Sequence, residues 1–268
     1  MDCVPLPPVI LIPENKIEAV VINNVTKRFP LYDENLQQGG QVRNGVFYAL
    51  TGISFTIESG CCAVIAGANG SGKSLLMSII AGLEEPDSGT VKTHAKAGLV
   101  FQEPDSQILG ETPREDIAFG PHNMGLKKDE IRVRVETALN ETELTHRADF
   151  PAHSLSGGEK RRLATAGVLA MDAQIIIFDE PYANMDFPGV VQVNRLIQKL
   201  IRDRKTVIIL THEIEKCLAL AGRFIVLFEG KKVFDGTAAE ALRCDLETWG
   251  IHHPLRKAAR TLEDLLWQ

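Results

Sequence analysis

The eight residues GANGSGKS at 67–74 constrain the fold of this chain more than any other stretch. A short apolar run, Cys61-Cys62-Ala63-Val64-Ile65-Ala66, leads into them. Residues 74–83 follow, with their large apolar side chains at helical spacing. A glycine-rich turn between a strand and a helix lets backbone N–H groups converge on anionic oxygens while the helix N-terminus faces negative charge. The pattern G-x-x-x-x-G-K-[ST] gives the turn to Gly67, Gly70 and Gly72, with Lys73 reaching β and γ phosphates and the Ser74 hydroxyl ligating Mg²⁺.

The rest of the chain can be placed around that loop. Residues 17–29 read as a strand with a partner in 49–57, and residues 30–44 between them, rich in acids, glutamines and glycines, read as an exposed loop. Short strands are expected near 90–91 and 98–101. From 103 to 151 the texture becomes helical, and Ile131, Val135, Ala138 and Leu139 share one face. Apolar strands then return at 174–178 and 206–210, separated by a helix over 190–201, and a hairpin joins 224–228 to 232–234. This alternation predicts an α/β fold with a parallel sheet, and ligands in such sheets collect beyond the carboxyl ends of the strands. Residues 1–16 read as an extended arm and 254–267 as a packing helix.

Several polar residues end those strands. Asp179 closes Ile175-Ile176-Ile177-Phe178 and is placed to hold Mg²⁺ or its water, and Glu180 beside it can polarise a water against a γ phosphate. His212 ends the strand at 206–210, and Gln102 ends the one at 98–101, where its amide can meet metal or water. Leu155-Ser156-Gly157-Gly158-Glu159 opens a helix and forms a second anion-binding helix end. Because the first loop already cradles phosphates, this second end suits a nucleotide held by another subunit, with symmetry supplying two composite sites.

The ordered set GANGSGKS, Gln102, LSGGE, IIIFDE, Asp186 and His212 closely resembles ATP-binding-cassette ATPases over residues 19–242. The resemblance implies a P-loop NTPase fold with a RecA-like core, an N-terminal antiparallel β subdomain and a helical insertion. It implies an arm at 1–18, a cassette over 19–245 with its helical subdomain at about 103–160, and a helical tail at 246–268. ATP and Mg²⁺ are the implied ligands. Gly67, Asn69, Gly70, Ser71, Gly72, Lys73 and Ser74 would line the nucleotide in cis, while Ser156, Gly157 and Gly158 would reach the γ phosphate across a dimer. Asp179 would support Mg²⁺ with Ser74 and Gln102, Glu180 would be the general base, His212 the γ-phosphate switch, and Gln102 the sensor facing the transport partner. Asp186 would lie at the intersubunit contact, and Phe29 matches the position that stacks on adenine. Leu75 stands where the family usually has threonine, and Ala183-Asn184-Met185 where serine, alanine and leucine are usual.

Residues 100–108 and 115–126 look like the ATPase subunits of energy-coupling-factor importers of the cobalt, nickel and vitamin types. That resemblance implies a peripheral protein on the cytoplasmic side of the cell membrane. Its partners would be a second ATPase subunit, the same or paralogous, a transmembrane scaffold and a substrate-capture membrane subunit. A net charge of −6 offers no global field for nucleic acid, and no such partner is expected. The opening residues lack a basic n-region and are broken by prolines, and no window of 18 apolar residues follows. Five cysteines without paired metal spacing fit a reducing compartment. Two other readings are a DNA-repair or translation cassette and a mainly ATP-binding structural partner. The compact spacing between Lys73 and Ser156 argues against a DNA-repair type, the single cassette against a translation type, and the intact Lys73, Ser156, Asp179, Glu180 and His212 against the structural partner.

Overall fold

Two sheets follow from two kinds of strand sequence. The computed structural model describes residues 17–30, 41–43 and 45–255. In chain order its elements are β1 (Glu18–Pro30), β2 (Val42–Arg43), β3 (Val46–Glu58), β4 (Cys62–Ala66), α1 (Lys73–Ile80), β5 (Ser88–Thr93) and β6 (Ala97–Val100). Then come α2 (Pro113–Asn123), α3 (Lys128–Glu141), α4 (Gly157–Ala170), β7 (Ile175–Asp179), α5 (Phe187–Arg202), β8 (Thr206–Thr211), β9 (Arg223–Phe228), β10 (Lys231–Gly236) and α6 (Ala238–Ala241). The expected arm at 1–16, the greater part of the expected loop (31–40 and 44) and the expected C-terminal helix from 256 onward lie outside the described residues; of the expected helical tail at 246–268, the described part is a 3-10 turn at Leu246–Trp249 followed by non-helical chain to Leu255. Within that loop Val42 and Arg43 form a short strand, because Val42 pairs across to Phe47 of β3.

Strands β4, β7 and β8 are apolar except at Asp179, Thr206 and Thr211, and are buried on both faces. That is the signature of a parallel sheet covered on both sides. The six-stranded order is β10-β9-β4-β8-β7-β6, parallel except for the β9–β10 hairpin. The other sheet, β2-β3-β1-β5, is antiparallel, with β1 paired to β3 over most of its length.

Strand periodicity divides the core. Val64, Ile176, Phe178, Val207 and Ile209 point to one face, where they meet Ala164 and Val168 of α4 and Val193, Ile197 and Leu200 of α5. Their neighbours Ala63, Ile65, Ile177, Ile208 and Leu210 point to the other, which α1 and the antiparallel sheet cover. After α6 the chain stays on the first face, with Leu246 and Ile251 buried there.

The segment from 103 to 156 builds a third cluster. Ile131, Val135, Ala138 and Leu139 are the buried face of α3, as their spacing predicts. They pack with Ile117 of α2 and with Leu163, Ala166 and Ala170 of α4. Helix α4 therefore belongs to two cores: Leu163 and Ala166 face the helical segment while Ala164 and Val168 face the sheet. Its contact with β6 is close, since a Cβ at Gly98 would collide with Val168.

Candidate nucleotide site

Four adjacent strands end at one edge of the sheet. In the order β4, β8, β7, β6 they lead into Gly67, His212, Glu180 and the Phe101-Gln102 pair. The loop after β4 is shaped by close approach: a Cβ at Gly67 would collide with the Leu227 carbonyl and crowd Ser71. Gly72 sits at φ 101°, which a side chain would strain, and Leu50 of β3 packs directly over it. The loop closes through Ser71 N–H to the Ala68 carbonyl at 3.2 Å, and α1 starts with Leu76 N–H to the Gly72 carbonyl at 2.9 Å.

Lys73, Asp179 and Glu180 are all buried at this edge. The Lys73 ammonium donates to the Gly67 carbonyl at 2.7 Å and the Ala68 carbonyl at 3.1 Å, and lies 3.5 Å from Glu180. Burial lowers its pKa, against the pull of Glu180 and Asp179. Burial raises that of Asp179, against the hydrogen bond that the Ser74 hydroxyl donates at 3.4 Å. Glu180 adopts φ 44°, a left-handed conformation that is costly for a non-glycine residue and turns its side chain out of the strand line. The backbone N–H of Glu180 donates to the Leu210 carbonyl at 2.9 Å. His212 reaches the carboxylate twice: Nδ1 lies 3.0 Å from Oε1 and the backbone N–H 3.4 Å from Oε2.

The structure thus joins Gly67, Lys73, Ser74, Asp179, Glu180 and His212 in one cluster. The Ser71 hydroxyl is buried in the loop without a hydrogen-bond partner, the kind of orphan that a bound polar group satisfies. Ser74 and Asp179 supply one hydroxyl and one carboxylate. No group of three His, Cys, Asp or Glu side chains is placed to hold a metal ion by itself among the described residues. That donor set fits Mg²⁺, which keeps waters and takes phosphate oxygens beside one or two protein ligands.

Other sequence candidates stand apart from this cluster. Asn69 and Gly70 form the exposed outer turn of the loop. The Gln102 side chain is exposed, and only its carbonyl is engaged, by Arg161. Asp186 is exposed and caps α5, accepting from the Gly189 N–H at 2.9 Å. Phe29 is 41% exposed, with the Lys27 ammonium 5.6 Å from its ring centre. Lys27 pairs with Leu50, so Phe29 lies two residues farther along β1 from the strand pair that covers Gly72.

Ser156 opens α4 with a reciprocal capping box: its hydroxyl accepts from the Glu159 N–H at 3.3 Å and its own N–H donates to the Glu159 carboxylate at 2.8 Å. The N–H of Ser156 holds the Glu159 carboxyl below its ordinary pKa. Gly157 and Gly158 face open space, where an added Cβ would meet nothing within 4 Å.

Sequence reasoning passed over two buried residues of this edge. Arg161 donates to the Pro181 carbonyl at 2.8 Å and the Gln102 carbonyl at 2.9 Å. Its signal was a cation sharing the buried face of α4 with Ala164, Thr165 and Val168. Tyr182 is fully buried and donates to Asn194 at 2.7 Å, while Asn194 donates to the Lys216 carbonyl at 2.7 Å. These bonds tie the turn after Glu180 to α5 and to the turn after His212.

Comparison with known proteins shows the family of the chain. Residues 50–183 match the ABC transporter family. The chain is 40% identical over 221 residues to the energy-coupling factor transporter ATP-binding protein EcfA of Carboxydothermus hydrogenoformans, covering 77% of this chain and 82% of that one. It is 37% identical over 214 residues to EcfA of Methanocaldococcus jannaschii, covering 74% and 76%. Among solved structures, CbiO1 of Clostridium perfringens, part of the ABC transporter complex CbiONQ, superposes with a TM-score of 0.73 at 32% identity, over 84% of this chain and 91% of that one. A dimeric ATP-binding cassette in a post-hydrolysis state with ADP and Pi gives 0.68 at 28% identity, over 82% and 98%. Likeness of this extent places the chain in the ABC transporter family as an ATP-hydrolysing cassette.

Proposed function

We propose that this chain is the ATP-hydrolysing subunit of an energy-coupling-factor importer and powers uptake of a micronutrient, cobalt, nickel or a vitamin. In this reading it works as a dimer with a second ATPase subunit, the same or paralogous. A transmembrane scaffold and a substrate-capture membrane subunit complete the assembly, on the cytoplasmic side of the cell membrane. No helix among the described residues is long and apolar enough to cross a bilayer, so the membrane contact falls to those partners.

The open space over Gly157 and Gly158 carries the reading. Glycine in the middle of a helix costs roughly 0.5–1 kcal/mol relative to alanine, and nothing among the described residues crowds either position at the start of α4. The bare helix end suits a nucleotide presented by a second subunit, which Ser156 and the two glycines approach closely. In the cis site Gly67, Asn69, Gly70, Ser71, Gly72 and Lys73 hold the phosphates, and Phe29 stacks on the base. Ser74 and Asp179, with Gln102, would hold Mg²⁺, which neutralises charge on the β and γ oxygens.

Glu180 then takes a proton from water as the water oxygen bonds the γ phosphorus, and the bond from that phosphorus to the bridging oxygen breaks to leave ADP and phosphate. His212 holds Glu180 in place through the 3.0 Å contact and faces the γ phosphate. Asp186 meets the partner subunit beside the opposing loop. A cavity of about 600 Å³, lined by Asp105, Ile108, Glu111, Thr112, Asp149 and His153, lies within the helical segment, between residues 105–112 and 149–153, where a cytoplasmic loop of the scaffold would seat.

The test is Glu180→Gln, measured by ATP turnover and by dimer formation with Mg-ATP. Turnover is expected to fall by about 10²–10⁴-fold while ATP binding and a closed dimer persist; unchanged turnover would overturn the general-base assignment. Purification from membranes in mild detergent is expected to bring down multispanning partners. Recovery with only non-membrane partners would overturn the importer assignment.

A further inference from the structure

Arg161 is the buried arginine among the described residues, with 6% of its surface exposed. No carboxylate pairs with it among those residues, and burial alone lowers its pKa. Its guanidinium instead spans two neutral carbonyls: Nη1 donates to Pro181 at 2.8 Å and Nη2 to Gln102 at 2.9 Å, while Nε is buried without a partner. A buried cation without a counter-charge is costly, and a neutral side chain packed at this place would avoid the cost. Fold stability alone therefore does not account for the arginine.

Its three attachments do. Arg161 stands five residues after Ser156 in α4, Pro181 directly follows Glu180, and Gln102 ends the segment after β6. One planar group therefore ties the glycine-rich helix end to the peptide after the general base and to the peptide of the sensor glutamine. Lys160 adds an exposed ion pair to Asp105 in the same segment, a weaker tie because solvent screens it.

We infer that Arg161 is a positioning residue that keeps Ser156–Gly158, Gln102 and Glu180 in fixed relation, so that approach of the helix end to a nucleotide brings Glu180 and Gln102 into register with it. The inference rests on the assignment of Glu180 and Ser156 above. Because the guanidinium presents two donors in a rigid fork, a lysine ammonium replaces only part of the tie. Among the described residues Arg161 shares no hydrogen bond or ion pair with Lys73 or the cis loop, so the first capture of nucleotide does not depend on it.

The experiment compares Arg161→Met, Arg161→Lys and Glu180→Gln with the parent full chain, in the dimer that supports turnover, using Mg-ATP as the probe. Turnover, KM, ATP affinity of the cis site and melting temperature are measured for each. Arg161→Met is expected to lose about tenfold or more in kcat with cis-site affinity within about threefold of the parent, and Arg161→Lys to recover part of that loss. A purely structural arginine would lower the melting temperature and leave kcat per folded molecule unchanged, which would overturn the inference. Should Arg161→Met fail to fold, Arg161→Lys carries the test: reduced kcat at unchanged affinity supports the tie, and parental kcat overturns it. Parental turnover in Glu180→Gln would instead overturn the site assignment beneath it.

Discussion

Asp179 sets stability against chemistry. Its folded pKa lies above the ordinary carboxylate value of 3.8 because burial outweighs the Ser74 hydrogen bond. An acid shifted upward favours folding only while protonated, a contribution present below the unfolded value and lost as pH rises through the folded one. Near neutral pH the charged carboxylate therefore destabilises the nucleotide-free protein. Asp179→Asn is expected to raise its melting temperature while abolishing Mg-dependent turnover; a lower melting temperature would show the charge to be compensated. Asp235 is the opposite case. Burial would raise its pKa, but hydrogen bonds from Arg223 at 2.9 Å and Lys232 at 2.7 Å hold it below the ordinary value. That stability is present above the unfolded pKa and lost as pH falls through the folded one. Asp235→Asn is expected to destabilise the protein near neutral pH, with the difference from the parent shrinking as pH falls below the ordinary aspartate value, as urea titrations across that range would show. Lys73, Asp179, Glu180 and His212 were legible in the sequence because each closes an apolar run or a glycine turn. Arg161 and Tyr182 were not, because their roles depend on partners that only the fold brings near, the Pro181 and Gln102 carbonyls for one and the Asn194 side chain for the other.

At the scale of elements, the start of α4 gives the sharpest test. If Gly157 and Gly158 serve approach by a second subunit and not packing within this chain, Gly158→Ala is expected to leave the fold intact or to stabilise it by about 0.5–1 kcal/mol. ATP turnover and nucleotide-driven dimerisation should both fall. A loss of melting temperature without loss of turnover would assign the glycine to packing. Most elements were legible because strand burial is nearly uniform and α3 shows its face at the expected spacing. The short strand Val42–Arg43 was not, because two residues carry no periodicity and their pairing partner lies across a turn.

For the whole molecule, the double membership of α4 makes the helical segment part of one cooperative body. Leu163→Ala removes a fully buried side chain from the third cluster and is expected to cost roughly 2–5 kcal/mol, shifting a single calorimetric transition. Two separated transitions would contradict that coupling. Glu111 lines the cavity within the helical segment without belonging to the nucleotide cluster. Glu111→Lys is expected to weaken recovery of membrane partners while basal turnover stays at the parental level. The closeness of Gly98 to Val168 has a mechanical consequence. A contact that tight fixes α4 against β6 there, and any tilt of the helix would turn about it. Ser156 lies twelve residues before Val168, an arm of about 18 Å at 1.5 Å per helical residue. A tilt of about 10° at that point displaces the tip by about 3 Å, roughly the length of one hydrogen bond.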